Sequence, residues 1–85
     1  MKEYKFAKPN SKHIKKVKAH FSNLLRERRN HYGISQARLA DLAGVDRKTI
    51  NRIENGHFNP NLDTMIRLAS VLNLKPVQMI LVKAS

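Results

Sequence analysis

No cysteine occurs in the chain, which excludes a disulfide framework and any thiolate metal site and fits a reducing compartment. Acidic residues are scarce: six Asp and Glu stand against seventeen Lys and Arg, leaving a net charge of +11. Such an excess on 85 residues favours a polyanionic partner, nucleic acid or an acidic membrane surface. Long apolar runs are missing too, so no membrane span and no secretory signal is expected, and the chain should be soluble and cytoplasmic, with no membrane partner. Aromatic residues are few; Tyr4 and Phe6, set among lysines, offer little for stacking on unpaired bases.

The chemistry of an enzyme is missing as well. There is no phosphate-cradling Gly loop, no Gly-flanked nucleophilic Ser and no thiol, and the carboxylates fall mostly where helix caps or ion pairs need them. His13, His20, His31 and His57 lack an i, i+4 pair or clustered partner ligands, so they read as surface residues rather than metal ligands. Met65 and Met79 fall at core-like positions. A non-enzymatic protein without metal or cofactor is expected. The length suits one compact domain but not a second, ligand-sensing one, so no small-molecule ligand is expected.

What the chain does have is helical periodicity broken by capping residues. Residues 1–20 carry seven Lys and one Glu, and residues 1–12 read as a flexible basic arm too charged to bury a face. With Ser11 as cap, Ile14, Val17, Phe21, Leu24 and Leu25 recur at the steps of one helical face, and Gly33 closes that helix after Tyr32. Ser35 caps a second helix with Leu39, Ala40, Leu42 and Ala43 on one face and Gly44 as its stop. Asp46 caps a third, with Ile50 and Ile53 inward and Asn55-Gly56 at its end. Asn61 caps a fourth, striped by Met65, Leu68, Ala69 and Leu72, and Pro76 starts a fifth with Val77, Ile80 and Leu81 at i, i+3 and i+4. By composition, residues 77–82 also suit a short strand. An all-α, five-helix domain over residues 13–85 is the sum.

The specific signal is residues 36–55, QARLADLAGVDRKTINRIEN. Ala40 permits close helix contact, Gly44 the turn, and Val45, Ile50 and Ile53 fill the angle between two steeply crossing short helices. The remaining polar residues, Arg47, Lys48, Thr49, Asn51 and Arg52, share the outer face of the second of them, with the donors and acceptors that base edges and phosphates require.

Residues 21–81 resemble the lambda-repressor-like family of helix-turn-helix regulators, the Cro, phage-repressor and xenobiotic-response-element class. The resemblance is carried by Arg29, Ser35-Gln36, Leu39-Ala40, Ala43-Gly44-Val45, Ile50, Ile53-Glu54-Asn55-Gly56, Pro60, Leu62, Thr64, Leu68-Ala69 and Leu72. It implies that Gln36 holds a phosphate and braces the reading helix. Arg47, Lys48, Thr49 and Arg52 would face bases, whereas Asn51 and Asn55, with the loop of His57, Asn59 and Asn61, would serve phosphates. It also implies a mostly buried Arg29–Glu54 ion pair. Asp46 departs from the Ser or Thr common there; capping explains it, and accepting from a cytosine amino group is the alternative.

The expected function is therefore a sequence-specific, double-stranded-DNA-binding transcription regulator, a repressor or autoregulator. It would act as a homodimer on a pseudo-palindrome, with Val77, Ile80 and Leu81 as the dimer surface. Two other readings remain open: the antitoxin of a toxin–antitoxin pair, binding a toxin protein and its own promoter, and a protein-binding adaptor on the same fold.

Overall fold

The computed structural model describes residues 6–57 and 59–82; Tyr4 and the start and end of the predicted arm and domain, residues 1–5 and 83–85, lie outside them. Five helices follow in order, α1 (Ser11–His31), α2 (Gln36–Ala43), α3 (Arg47–Glu54), α4 (Leu62–Val71) and α5 (Pro76–Ile80), and no strand occurs among the described residues. Residues 77–80 are thus helical, with Leu81 already extended.

Most boundaries follow from side chains that satisfy the otherwise unpaired N–H groups of a first turn. Ser35 accepts from the Arg38 N–H at 3.0 Å, Asp46 from Lys48 at 3.3 Å and Asn61 from Thr64 at 2.8 Å. At α1 the cap is Asn10 and not Ser11: its Oδ1 accepts from the Lys12 and His13 N–H groups at 3.0 and 3.2 Å, so the helix starts inside the predicted arm. At the end of α2, Gly44 takes φ 70°, a left-handed conformation that costs an L-residue about 1–2 kcal/mol. A Cβ there would also meet Arg67 Nη1 at 3.0 Å.

The core is Phe21 and Leu25 of α1, Leu39, Ala40 and Ala43 of α2, Ile50 and Ile53 of α3, Leu68 and Ala69 of α4, then Leu72, Leu74 and Met79. Val45 and Met65 pack against it, half-buried. Two predicted core residues are exposed instead. Leu42 lies about 160° round α2 from Ala40, off the face that Leu39, Ala40 and Ala43 turn inward. Ile14 keeps the face of Phe21 but lies two turns, about 10 Å, before it, where nothing packs opposite.

Candidate nucleic-acid interface

α3 is an eight-residue helix with two unlike sides. Ile50 and Ile53 anchor it against the core, while Arg47, Lys48, Asn51, Arg52 and Asn55 are exposed. Thr49, predicted among the base-facing residues, is half-buried at the edge of this surface. Asp46, Arg47, Lys48 and Asn51 together line a shallow depression at the start of the helix. Asp46 itself is occupied as the cap, in keeping with the structural explanation of its charge.

The helix is locked in place by one buried carboxylate. Glu54 is the only buried polar or charged residue among those described, and it takes both prongs of Arg29: Nε donates to Oε2 at 2.6 Å and Nη2 to Oε1 at 2.9 Å. Side-chain exposures of 13% and 4% make the pair mostly buried, as the resemblance implies. Arg29 Nη1 donates to the Ile34 carbonyl at 2.8 Å, fixing the turn before α2 as well. Hydrogen bonding to Glu54, aided by its charge and opposed by burial, raises the Arg29 pKa above its already high ordinary value. A cation so raised adds stability at every pH below that range, so the contribution of Arg29 is constant through neutrality.

From this pair a hydrogen-bond chain runs outward. Gln36 Nε2 donates to Glu54 Oε1 at 3.1 Å, Asn51 Nδ2 donates to Gln36 Oε1 at 3.3 Å, and Asn55 Nδ2 donates to Asn51 Oδ1 at 3.3 Å. Three predicted contact residues, Gln36, Asn51 and Asn55, thus form one connected set with the Arg29–Glu54 pair, in which Gln36 ties α2 to α3. Arg47, Lys48 and Arg52 have no side-chain hydrogen bond or ion pair among the described residues, leaving their donors free for a ligand. His57 and Asn59 are exposed beyond the end of α3, the His57 N–H closing on the Arg52 carbonyl at 2.8 Å.

Residues outside the predicted set also position the helix. Ser22 Oγ donates to the Ile53 carbonyl at 2.7 Å and Arg26 Nη1 to the Glu54 carbonyl at 2.6 Å, so α1 caps the C-terminus of α3. Arg67 Nη1 does the same for the Ala43 carbonyl of α2 at 3.3 Å. Their partners lie 24 to 31 residues away, beyond the reach of any local pattern. Lys15, Lys18 and Ser22 share one face of α1, and both lysines flank a groove with Asn55 and Gly56. Among the described residues no three His, Asp or Glu gather as metal ligands would, and no helix is long and apolar enough to cross a membrane.

Two short helices joined by a three-residue turn, the second exposing a cationic and amide face, define a helix-turn-helix domain of the kind that enters the major groove. Comparison with known proteins agrees: the helix-turn-helix family model matches residues 25–79, and the chain belongs to this helix-turn-helix family, of the Cro/C1 type. An HTH-type transcriptional regulator of Archaeoglobus fulgidus is 41% identical over 51 residues, 60% of this chain and 73% of that one. A longer HTH-type transcriptional regulatory protein of Methanothermobacter thermautotrophicus is 45% identical over 51 residues, and this match spans only 16% of its length. Among solved structures, the restriction-modification controller protein C.AhdI of Aeromonas hydrophila superposes with a TM-score of 0.69 at 35% identity, covering 73% of this chain and 94% of that one.

Proposed function

We infer that the protein regulates transcription by occupying a pseudo-palindromic DNA site as a dimer, with α3 in the major groove of each half-site. The observation that carries this reading is the outer face of α3, where Arg47, Lys48 and Arg52 are exposed and without a side-chain partner among the described residues, while Glu54, Gln36 and Asn51 hold the helix rigidly to the body. Arg and Lys donate to guanine O6 and N7, and Thr49 at the edge can reach a thymine methyl or a base acceptor. Asn51, Asn55, His57 and Asn59 serve phosphates and set the register.

A single short helix contacts too few base pairs for useful specificity, and a second copy at half-sites about 34–36 Å apart supplies the rest. Val77 and Ile80 of α5 and Leu81 just after it, with exposures of 53, 44 and 64%, form the apolar surface for it. Leu81 continues into a shallow groove with Leu24, Leu74 and Val82, which extends that surface over α1. Occupancy of a promoter then blocks transcription, with no cofactor in the step.

Selection from random duplexes at near-physiological salt tests the reading. An enriched inverted repeat is expected; no enrichment, with only salt-sensitive binding left, would overturn it in favour of a protein-binding role such as toxin neutralisation.

A further inference from the structure

The first three turns of α1 precede the family match and bury nothing: between Ser11 and His20 only Val17 and His20 are even half-buried. This overhang is nonetheless helical, about 15 Å long, and carries Lys12, Lys15, Lys16 and Lys18. From Phe6 to Arg26 there is no Asp or Glu, and none of these lysines has an ion-pair partner among the described residues.

On its own such a helix is electrostatically unfavourable. Lys12 repels Lys15 and Lys16 at i+3 and i+4, as Lys15 does Lys18, and like charges at these spacings destabilise a helix. No acidic residue occupies the first turn, so the cations also face the positive end of the helix dipole. Both penalties vanish beside a polyanion. Orientation supplies the partner: Lys15 and Lys18 share a groove with Ser22, Asn55 and Gly56, on the flank of α3 where the hydrogen-bonded Asn51–Asn55 pair ends.

We propose that the overhanging part of α1 is a second DNA-contacting element, in which Lys15 and Lys18 bind backbone phosphates beside the groove that α3 enters. The proposal rests on the DNA-binding reading above and adds a site to it. The contact carries no sequence information; it raises affinity for any duplex and extends the protected backbone past Asn55.

Phosphate contacts are counted by the salt dependence of binding, each contributing about 0.9 to the slope of log K against log salt. Lys15→Gln and Lys18→Gln, singly and together, keep a good helix former at both positions. Lys16→Gln removes the same charge about 100° round the helix from Lys15. On the duplex enriched by selection, each of the first two should flatten the slope by about 0.9 and the double variant by about 1.8, whereas Lys16→Gln should leave it unchanged. A double variant with the parental slope, or an equal loss in Lys16→Gln, which would mark a net-charge effect, overturns the proposal. A parent that does not bind the duplex overturns the underlying DNA-binding reading; a parent that binds, beside a double variant of equal slope, overturns this element alone.

Discussion

α3 and α5 are both short helices that leave one side in solvent, but they leave opposite chemistry there. α3 anchors Ile50, Ile53 and Glu54 and exposes Arg47, Lys48, Asn51, Arg52 and Asn55; α5 anchors Met79 and exposes Val77 and Ile80, with Leu81 next to it. Their attachments differ in the same way. α3 is fixed by directional polar contacts, the Arg29–Glu54 fork and the caps from Ser22 and Arg26. α5 rests on a buried methionine and one long-range hydrogen bond, His20 Nε2 to the Gln78 carbonyl at 2.8 Å. A surface that must match hydrogen-bonding groups on DNA needs its helix held in orientation as well as in place; an apolar surface meeting another apolar surface tolerates small shifts. The contrast fits the two partners proposed above, nucleic acid for α3 and a second copy of the chain for α5.

The largest expected effect breaks the attachment of α3. Glu54→Ala strands Arg29 mostly buried and releases Gln36, and should cost about 3–5 kcal/mol in denaturant unfolding. Parental stability in that variant would rule out the locked helix. Gly44→Ala is next: the left-handed turn and the 3.0 Å approach of Arg67 Nη1 together predict a loss of about 1–2 kcal/mol, read as a lowered melting temperature. An unchanged melting temperature would mean that the turn joining α2 to α3 relaxes freely.

The smallest effect on folding should come from giving α5 a polar outer face like that of α3. Val77→Asp with Leu81→Asp alters exposed positions, so stability should stay within roughly 0.5 kcal/mol per change. Sedimentation should nonetheless shift from dimer to monomer on DNA. Should the double variant remain dimeric, the second copy docks elsewhere.

Much of the fold was legible because its punctuation is local. Ser35, Asp46 and Asn61 each cap the helix that their position in the sequence announces, Gly44 stops α2, and the i, i+3 pair Ile50 and Ile53 gives the inner side of α3 directly. Ile14 and Leu42 are exposed against expectation, since periodicity says which face a residue shares but not whether anything packs against it. Ser11 and Asn10 can each cap by side-chain chemistry, and only the backbone turn decides for Asn10. In the candidate interface, the exposed residues of α3 could be read from helical spacing and the Arg29–Glu54 pair from family resemblance. The capping roles of Ser22, Arg26 and Arg67 could not: each joins a side chain to a distant carbonyl, which every residue offers alike.

The central claim, that the outer face of α3 reads base sequence, is tested most directly by measuring affinity for the enriched duplex and for a scrambled one, in the parent and in Arg47→Ala plus Arg52→Ala. A good bidentate contact is worth about 1–3 kcal/mol of discrimination, so the preference of the parent for the enriched duplex should collapse in the double variant while weak, salt-sensitive binding to both duplexes remains. A preference that survives in a folded double variant would contradict the account and place sequence reading outside α3.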